Sequence, residues 1–200
     1  MIVIIDYGIG NLRSVQKSFL RVGFNAVISN NKNDIENASK LVLVGVGHFK
    51  HAMNNLKKSG LLPTINNKVQ NQKTPILGIC LGMQLMTKFS EEGNIEGLGW
   101  VDAITKKFQT DLKVPHIGWS TSNYIKENFL TKGISIFDEF YFVHSYYVET
   151  NNDKLNMFIT NYDHNFVSGF CDGNIYGLQF HPEKSHEAGI HLLKNFANLQ

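Results

Sequence analysis

The fold is indicated most clearly by the stretch PILGICLG, residues 75–82. It begins as a largely apolar run, as in a strand buried on both faces of a parallel sheet, and a helical pattern follows from Leu81. Glycines at 78 and 82 permit a tight turn with Cys80 at its apex. The stretch therefore predicts one strand–turn–helix unit.

The same alternation occupies the chain before this unit. The apolar run 2–5 leads through a glycine-containing turn into a helical pattern that starts at Leu12. Further strands are predicted at 24–28 and 41–44, with helices at 34–40 and within 48–72, broken near Gly60 and Pro63. Strands and helices that alternate in this way favour a parallel sheet with helices on both faces.

After about Gly93 the pattern changes to short strands separated by turns. The clearest are 141–149 and the pair 166–171 and 174–180, which flank the hairpin signal Asp172-Gly173. A last helix is expected from about Ser185. We therefore predict a single α/β domain over residues 1–200, with a mostly parallel central sheet flanked by helices and additional antiparallel strands in the C-terminal half.

The composition excludes several classes of function. Nineteen Lys and Arg residues against seventeen Asp and Glu give a net charge of +2, scattered along the chain, so neither a nucleic-acid partner nor an anionic membrane surface is expected. No apolar run approaches the roughly 18 to 20 residues of a membrane span. The N-terminus lacks the basic start of a secretory signal. A cytoplasmic location is expected.

Cys80 is the candidate nucleophile. The turn lifts its side chain above the sheet, and the start of a helix favours the thiolate form of a cysteine. The backbone N–H of Leu81 would then point toward a developing oxyanion. The alternative is that Cys80 is a small buried apolar residue, and this motif alone does not separate the two interpretations.

His181 is the candidate base among the eight histidines. It ends a predicted strand, where functional residues gather in open α/β sheets, and Pro182 favours an extended backbone before it. Glu183 lies two residues further, so its carboxylate could orient the imidazole. His-Pro-Glu alone is more often an ordinary surface turn, but its combination with the Cys80 turn favours a nucleophile, a base and an orienting acid.

The loop Gly45-Val46-Gly47 follows a predicted strand at the same sheet edge, where its N–H groups could stabilise an oxyanion; the alternative is a plain turn. His48 and His51 have no third ligand at a recognisable spacing, so no metal is expected. The turn that starts at Gly8 has Arg13 where a dinucleotide-binding motif needs glycine, so no cofactor is expected.

Polar and aromatic residues in the second half of the chain suggest a pocket. His144 and Ser145 interrupt a hydrophobic strand, where buried polar groups need partners. Without a basic cluster beside them, the two tryptophans, Trp100 and Trp119, are interpreted as packing residues. Cys171 is expected to be an inert core residue.

Taken with these features, the segments GICLGMQ (78–84) and QFHPEKS (179–185) resemble the class I glutamine amidotransferases. Segments 5–12, 45–47, 113–119 and 141–146 resemble more closely the glutaminase subunits that supply ammonia for imidazole glycerol phosphate synthesis in the histidine pathway. The resemblance covers nearly the whole chain and implies the fold of that family.

The resemblance implies a reaction in which Cys80 attacks the side-chain amide of L-glutamine and water then releases glutamate. His181 would help to protonate the departing ammonia, and Glu183 would hold His181. The oxyanion hole would use Leu81 and the loop Gly45-Val46-Gly47, part of which reorients before it can donate. The family passes the ammonia to a (β/α)8 barrel cyclase subunit, which implies a heterodimer.

The resemblance also assigns binding residues. The positions that grip glutamine correspond to Gln84 and to the backbone of His144, Ser145 and Tyr146. The positions near the interface with the barrel correspond to Asn11, Trp119, Tyr141 and Lys184. One departure is Val44, where the family usually has proline; because proline fixes φ and removes an N–H, we expect Val44 to alter how readily the glycine loop reorients.

Three alternatives remain open at this point. A related glutaminase could supply ammonia for the amidination of a surface-polysaccharide sugar, and the catalytic residues do not separate this from the histidine pathway. Val44, Trp100 and Ser120, beside otherwise typical segments, favour some divergence. The other two alternatives are a cysteine peptidase with the same turn and a non-catalytic regulatory subunit.

Overall fold

The computed structural model describes residues 1–199. The strands of this part are β1 Ile2–Ile5, β2 Ala26–Ser29, β3 Lys40–Gly45, β4 Ile76–Cys80, β5 Phe89–Ser90, β6 Ile95–Glu96, β7 Ala103–Lys107, β8 His116–Thr121, β9 Asn123–Tyr124, β10 Glu139–His144, β11 Tyr146–Thr150, β12 Asn156–Tyr162, β13 His164–Asp172 and β14 Ile175–Leu178. The α-helices are α1 Leu12–Arg21, α2 Lys32–Glu36, α3 Phe49–Lys58, α4 Leu62–Asn66, α5 Leu81–Leu85 and α6 His186–Ala197.

Most of the strands form one mixed sheet. Its order is β2-β1-β3-β4-β14-β13-β11-β7-β5-β6, with β12 paired to β13 and β9 paired to β12. The first five strands in this order are mutually parallel, and antiparallel pairings dominate from β13 onward. Strands β8 and β10 form a separate antiparallel pair. The predicted fold, a largely parallel sheet with helices and added antiparallel strands, is confirmed.

Apolar side chains of the parallel strands pack on both faces of the sheet because successive residues of a strand point to opposite sides. Val3 and Ile5 of β1 belong to the core under α3, α4 and α5. Ile2 and Ile4 belong to the opposite core, which α1 and α6 cover. This double burial explains why the parallel strands are continuous apolar runs in the sequence.

Three predicted elements illustrate how boundaries differ from the structure. The helix predicted at 34–40 is α2, which begins earlier because the Asn31 side chain accepts a hydrogen bond from the backbone of Asn33 and so caps it. The strand predicted at 24–28 is β2, Ala26–Ser29. The strand predicted at 141–149 is two strands, β10 and β11, which lie in different sheets on either side of Ser145.

Pro63 does not break a helix but lies in the first turn of α4, where its missing N–H is not needed. Within residues 1–199, no helix has both the length and the apolar character that a membrane crossing requires.

The carboxyl ends of the parallel strands meet at one edge of the sheet. In the register of β3 and β4, Gly45 lies opposite Cys80. Strand β14 pairs with the other side of β4 and ends at Leu178, three residues before His181. The fold therefore brings the glycine loop, the cysteine and the histidine to the same edge.

Candidate active site

Cys80 ends β4 and directly precedes α5 in a strained backbone conformation. Its φ of 54° and ψ of −114° lie in a region that residues with a side chain rarely adopt. Such conformations cost about 1–3 kcal/mol and are concentrated at functional sites. The side chain lines a cavity although only 7% of the residue is exposed. Cys80 thus has the geometry of a nucleophile held on a sharp turn.

The glycines on either side of Cys80 are required by close backbone packing. A Cβ atom on Gly82 would lie 1.9 Å from the carbonyl oxygen of Leu43 in β3. A Cβ atom on Gly78 would lie 2.8 Å from the backbone nitrogen of Met83. Helix α5 therefore rests directly on the sheet, which sets the position of the Cys80 turn.

His181 is fixed on both its backbone and its side chain. Its N–H donates to the carbonyl oxygen of Tyr141 at 2.9 Å, and its carbonyl oxygen accepts from the hydroxyl of Ser185 at 2.6 Å. A 3-10 turn, Pro182–Lys184, folds the chain back so that Nδ1 of His181 lies 2.8 Å from Oε1 of Glu183. Because a carboxylate only accepts hydrogen bonds, Nδ1 carries the proton and Nε2 is left for other chemistry.

The electrostatics of His181 depend on its two partners. Burial alone would lower its pKa, but contact with Cys80 and Glu183 outweighs burial and raises the pKa to about 10. Nε2 of His181 is buried and has no well-aligned hydrogen-bond partner within residues 1–199. The side chain of Cys80 is one of the two contacts that raise the pKa of His181.

The glycine loop is held at its base by Tyr7. The buried Tyr7 hydroxyl donates to the carbonyl oxygen of Val44 at 2.9 Å. Burial, and then the proximity of Cys80, raise the pKa of Tyr7, so it stays a neutral donor. Beyond this anchor, Val46 and Gly47 reach the cavity, Val46 with its side chain 43% exposed and Gly47 with a φ of 88°. The expectation that Val44 alters loop movement stays a prediction.

The cavity over Cys80 has a volume of about 300 Å³, which lies within the range of small-molecule sites. Its lining includes five residues from the two catalytic turns and the glycine loop, namely Val46, Gly47, Cys80, Leu81 and His181. The opposite wall is the connection between β10 and β11, made of Val143, His144, Ser145 and Tyr146. The sequence-predicted binding residues therefore share one cavity, since Gln84 lines it as well.

Gln84 is tied into this wall. Its Nε2 donates to the carbonyl oxygen of Tyr146 and to Oε1 of Gln179, both at 2.9 Å. Nε2 of Gln179 in turn donates to Sγ of Cys80 at 3.8 Å. Sequence analysis gave Gln179 no role, although an amide in an apolar strand end was a usable signal. These bonds connect the nucleophile to the wall of the cavity.

Comparison with known proteins identifies the family. The family described as glutamine amidotransferase class-I matches residues 3–199. This chain belongs to the class I glutamine amidotransferases. Family membership also excludes the peptidase alternative, because members of this family are amidotransferases.

Relatives of this amidotransferase match it over their full length. The imidazole glycerol phosphate synthase subunit HisH 2 of Methanococcus maripaludis is 47% identical over 98% of both chains. A second HisH 2, from Pseudomonas aeruginosa, is 43% identical over 100% of both chains. A solved crystal structure of a glutamine amidotransferase has a TM-score of 0.75 at 15% identity, over 98% of this chain and 100% of that one, and shows the shared fold.

Glu92 is a cavity residue of the amidotransferase that sequence analysis missed. Its carboxylate lines the cavity, and Oε2 accepts a hydrogen bond from the backbone N–H of Phe49 at 2.7 Å. Lys184 supplies a cationic group in the same lining. Nothing in the local sequence separates Glu92 from its neighbour Glu91, because its position depends on the packing of a turn against α3.

Three of the four predicted interface residues form one surface cluster on the amidotransferase. The rings of Trp119 and Tyr141 lie edge to face with centroids 5.8 Å apart, and Nζ of Lys184 lies 5.5 Å from the Tyr141 centroid. Asn11 lies apart from them, exposed at the start of α1. Trp100 is buried, whereas Trp119 packs against the ring of His186, with centroids 4.5 Å apart, and is still 41% exposed.

His48, next to the glycine loop, has a structural role. Nδ1 of His48 accepts a hydrogen bond from the backbone of Lys50 and caps α3. Among residues 1–199, no group of three or more His, Cys, Asp or Glu side chains is arranged to hold a metal ion.

Proposed function

We propose that this amidotransferase is the glutaminase subunit of imidazole glycerol phosphate synthase, acting in histidine biosynthesis. It would hydrolyse L-glutamine and deliver the ammonia to a (β/α)8 barrel cyclase subunit within a cytoplasmic heterodimer. The observation that carries the proposal is the arrangement of His181 between Glu183, which its Nδ1 contacts, and Cys80, with which it lines the cavity. The names of the full-length relatives favour this pathway over the amidination of a polysaccharide sugar. Residues 1–200 would form a single glutaminase domain.

The catalytic steps follow from this arrangement. Sγ of Cys80 attacks the side-chain amide carbon of glutamine, and the negative charge that develops on the oxygen is stabilised by the N–H of Leu81 and by the glycine loop. His181 donates its Nε2 proton to the amide nitrogen, the C–N bond breaks, and ammonia leaves a thioester on Cys80. Water then attacks the thioester, His181 accepts a proton from it, and glutamate and the free cysteine are released.

Replacing Glu183 by glutamine is expected to lower kcat for glutamate release at neutral pH by about 100-fold. The amide still accepts a hydrogen bond from Nδ1 but no longer stabilises the imidazolium, so the pKa of His181 falls from about 10. The imidazolium is present below this pKa and is lost as the pH rises through it. The alkaline limb of the pH profile of kcat should therefore move to lower pH.

The control for this variant is Glu187→Gln. Glu187 lies on the nearby helix α6 and forms an exposed ion pair with Arg21 of α1, so this variant removes the same charge outside the cavity. Its pH profile should match that of the unmodified protein. An unchanged alkaline limb in Glu183→Gln would show that Glu183 does not set the protonation of His181.

Glu92→Gln is expected to raise KM for glutamine by about 10-fold and to leave kcat within about threefold. We propose that the Glu92 carboxylate binds the α-ammonium group of the substrate. The Glu92→Gln side chain has no negative charge but still offers an oxygen that accepts the hydrogen bond from the Phe49 N–H. Steady-state glutamate release measures both constants.

The matched control is Glu91→Gln. Glu91 also accepts a hydrogen bond from a backbone N–H, that of Lys107 at 2.7 Å, but it is not part of the cavity lining. Equal KM values for the Glu91 and Glu92 variants would contradict the role of Glu92.

A partner is expected because ammonia released into water is protonated and lost as a nucleophile. The surface cluster of Trp119, Tyr141 and Lys184 lies beside the cavity, and Ile117 and Trp119 give the outer side of β8 an exposed apolar character. Such a patch is typical of a protein interface. We propose that the barrel subunit docks on it.

The proposed function is tested by glutamate release from glutamine, first with the purified chain and then with the barrel cyclase subunit of the same organism and its nucleotide ligand. Strong stimulation by the loaded barrel is the expected result. A rate of glutamate release that is the same with and without the barrel subunit, or that rises only with a sugar-amidinating partner, would overturn the assignment to histidine biosynthesis.

A further inference from the structure

A chain of buried hydrogen bonds leads away from the cavity wall. Nδ1 of His144 lies 2.8 Å from the carbonyl oxygen of Tyr146. Nε2 of His144 lies 3.1 Å from Nδ1 of His116, and Nε2 of His116 lies 3.0 Å from the hydroxyl of Ser120. The chain thus links the substrate cavity to β8, the strand that carries Trp119 on its outer side.

The direction of every bond follows from its first member. A carbonyl oxygen can only accept, so Nδ1 of His144 carries a proton. A neutral imidazole then accepts at Nε2, which requires a proton on Nδ1 of His116. Nε2 of His116 accepts in turn, and Ser120 is its donor. Both histidines are therefore held as the Nδ1–H tautomer.

The surroundings keep the two rings neutral and immobile. Burial lowers the pKa of His144 to about 3 and that of His116 to about 4, so neither is charged at neutral pH. The His116 ring stacks between Phe142 and Tyr162, with centroid distances of 4.9 and 4.1 Å. The ring is fixed on both faces, and its nitrogens can meet only the two partners already described.

The chain of hydrogen bonds ends at residues that contact Cys80. The Tyr146 carbonyl accepts from His144 and also from Gln84, which contacts Gln179, the donor to the sulfur of Cys80. At the break between β10 and β11, the Ser145 carbonyl oxygen accepts one main-chain hydrogen bond, from the N–H of Phe108 at 3.2 Å, and the Tyr146 carbonyl adds two side-chain donors. The two side-chain donors therefore fix the backbone of the wall that faces the nucleophile.

We propose that His116 and His144 are positioning residues for glutamine, which hold the 144–146 backbone through neutral Nδ1–H tautomers set by the Tyr146 carbonyl. This inference rests on the proposed glutaminase function. It also assigns a role to Ser120, whose hydroxyl donates to Nε2 of His116, the last acceptor in these hydrogen bonds.

Two substitutions of His116 separate positioning from packing. His116→Phe keeps an aromatic ring between Phe142 and Tyr162 but removes the donor to His144. We expect KM for glutamine to rise about 5- to 10-fold, the factor that corresponds to one lost hydrogen bond, with kcat within about twofold. His116→Asn keeps an N–H donor near the Nδ1 position but loses the stacking, so Tm should fall while KM stays within about twofold. The proposal would be overturned if KM rose in His116→Asn, where Tm falls, and stayed unchanged in His116→Phe, where the donor is lost.

Nitrogen-15 correlation spectra of the histidine rings report which ring nitrogen carries the proton, a property that a change in packing alone does not alter. Unmodified protein should show His116 and His144 as Nδ1–H tautomers, and Ser120→Ala should leave both tautomers unchanged, because the Tyr146 carbonyl sets the direction of the hydrogen bonds. An Nε2–H tautomer at either ring in the unmodified protein would overturn the proposal. The spectra need no substrate, so Nδ1–H tautomers in a protein that releases no glutamate would contradict the proposed function and leave the hydrogen-bond chain intact.

Discussion

Replacing Cys80 by alanine is expected to lower kcat for glutamate release by at least about 10,000-fold, the size of effect seen when a covalent nucleophile is removed. Within residues 1–199, no other thiol lines the cavity, and without Sγ the thioester cannot form. The free energy of unfolding should change by less than about 1 kcal/mol, since alanine occupies the same strained backbone at almost the same cost.

The chain contains its own control for this experiment. Cys171, the second cysteine, is half-buried in β13, and burial raises its pKa, so Cys171→Ser should keep kcat within about twofold. A glutamine-analogue electrophile should add to Cys80 in the Cys171 variant and leave the Cys80 variant unlabelled in intact-mass measurements. More than about 1% residual activity in Cys80→Ala would show that glutamine is hydrolysed by another route.

Gly82→Ala is expected to lower the free energy of unfolding by at least about 3 kcal/mol, a large part of the roughly 5–15 kcal/mol of a typical domain. Intrinsic helix propensity opposes this result, because alanine is favoured over glycine by about 1 kcal/mol within a helix. Packing decides the sign. The new Cβ would lie 1.9 Å from the Leu43 carbonyl oxygen. This oxygen and the Cα that carries the new Cβ both belong to buried backbone, which cannot move aside at low cost.

Urea unfolding followed by circular dichroism measures this effect. The matched control is Gly60→Asn, because a Cβ at Gly60 meets nothing within 4 Å and asparagine tolerates its left-handed φ of 68°. The control midpoint should shift little. Equal midpoints for Gly82→Ala and the unmodified chain would show that α5 can lift from the sheet at low cost.

The parallel half of the fold could be predicted because its pattern is local. The runs 2–5, 41–44 and 75–79 are apolar throughout, which is what burial on both faces requires, and all three are strands. The turn at Cys80 and the spacing of His181 and Glu183 could be predicted for the same reason, since each depends on neighbours within a few residues.

The features that escaped prediction depend on residues distant in sequence. The break at Ser145 arises because β10 pairs with β8 while β11 pairs with β7, and no local signal encodes that choice. His116 and His144 meet only because they are partners in the β8–β10 register. Gln179 and Glu92 likewise gain their contacts from elements that fold against them, so the sequence brings out the proposed catalytic residues but not most of the groups that contact them.

The pairing of β14 with β4 has a consequence for how the enzyme is made. Ile175 lies opposite Ile76, about a hundred residues apart along the chain, so the proposed nucleophile and base lie at the ends of adjacent strands from opposite halves of the protein. During synthesis β4 remains an open strand edge, and Cys80 lacks its proton partner, until almost the whole chain has left the ribosome. Pairing of β14 with β4 and the approach of His181 to Cys80 therefore both come late in synthesis, so unfinished chains lack the complete Cys80–His181 pair.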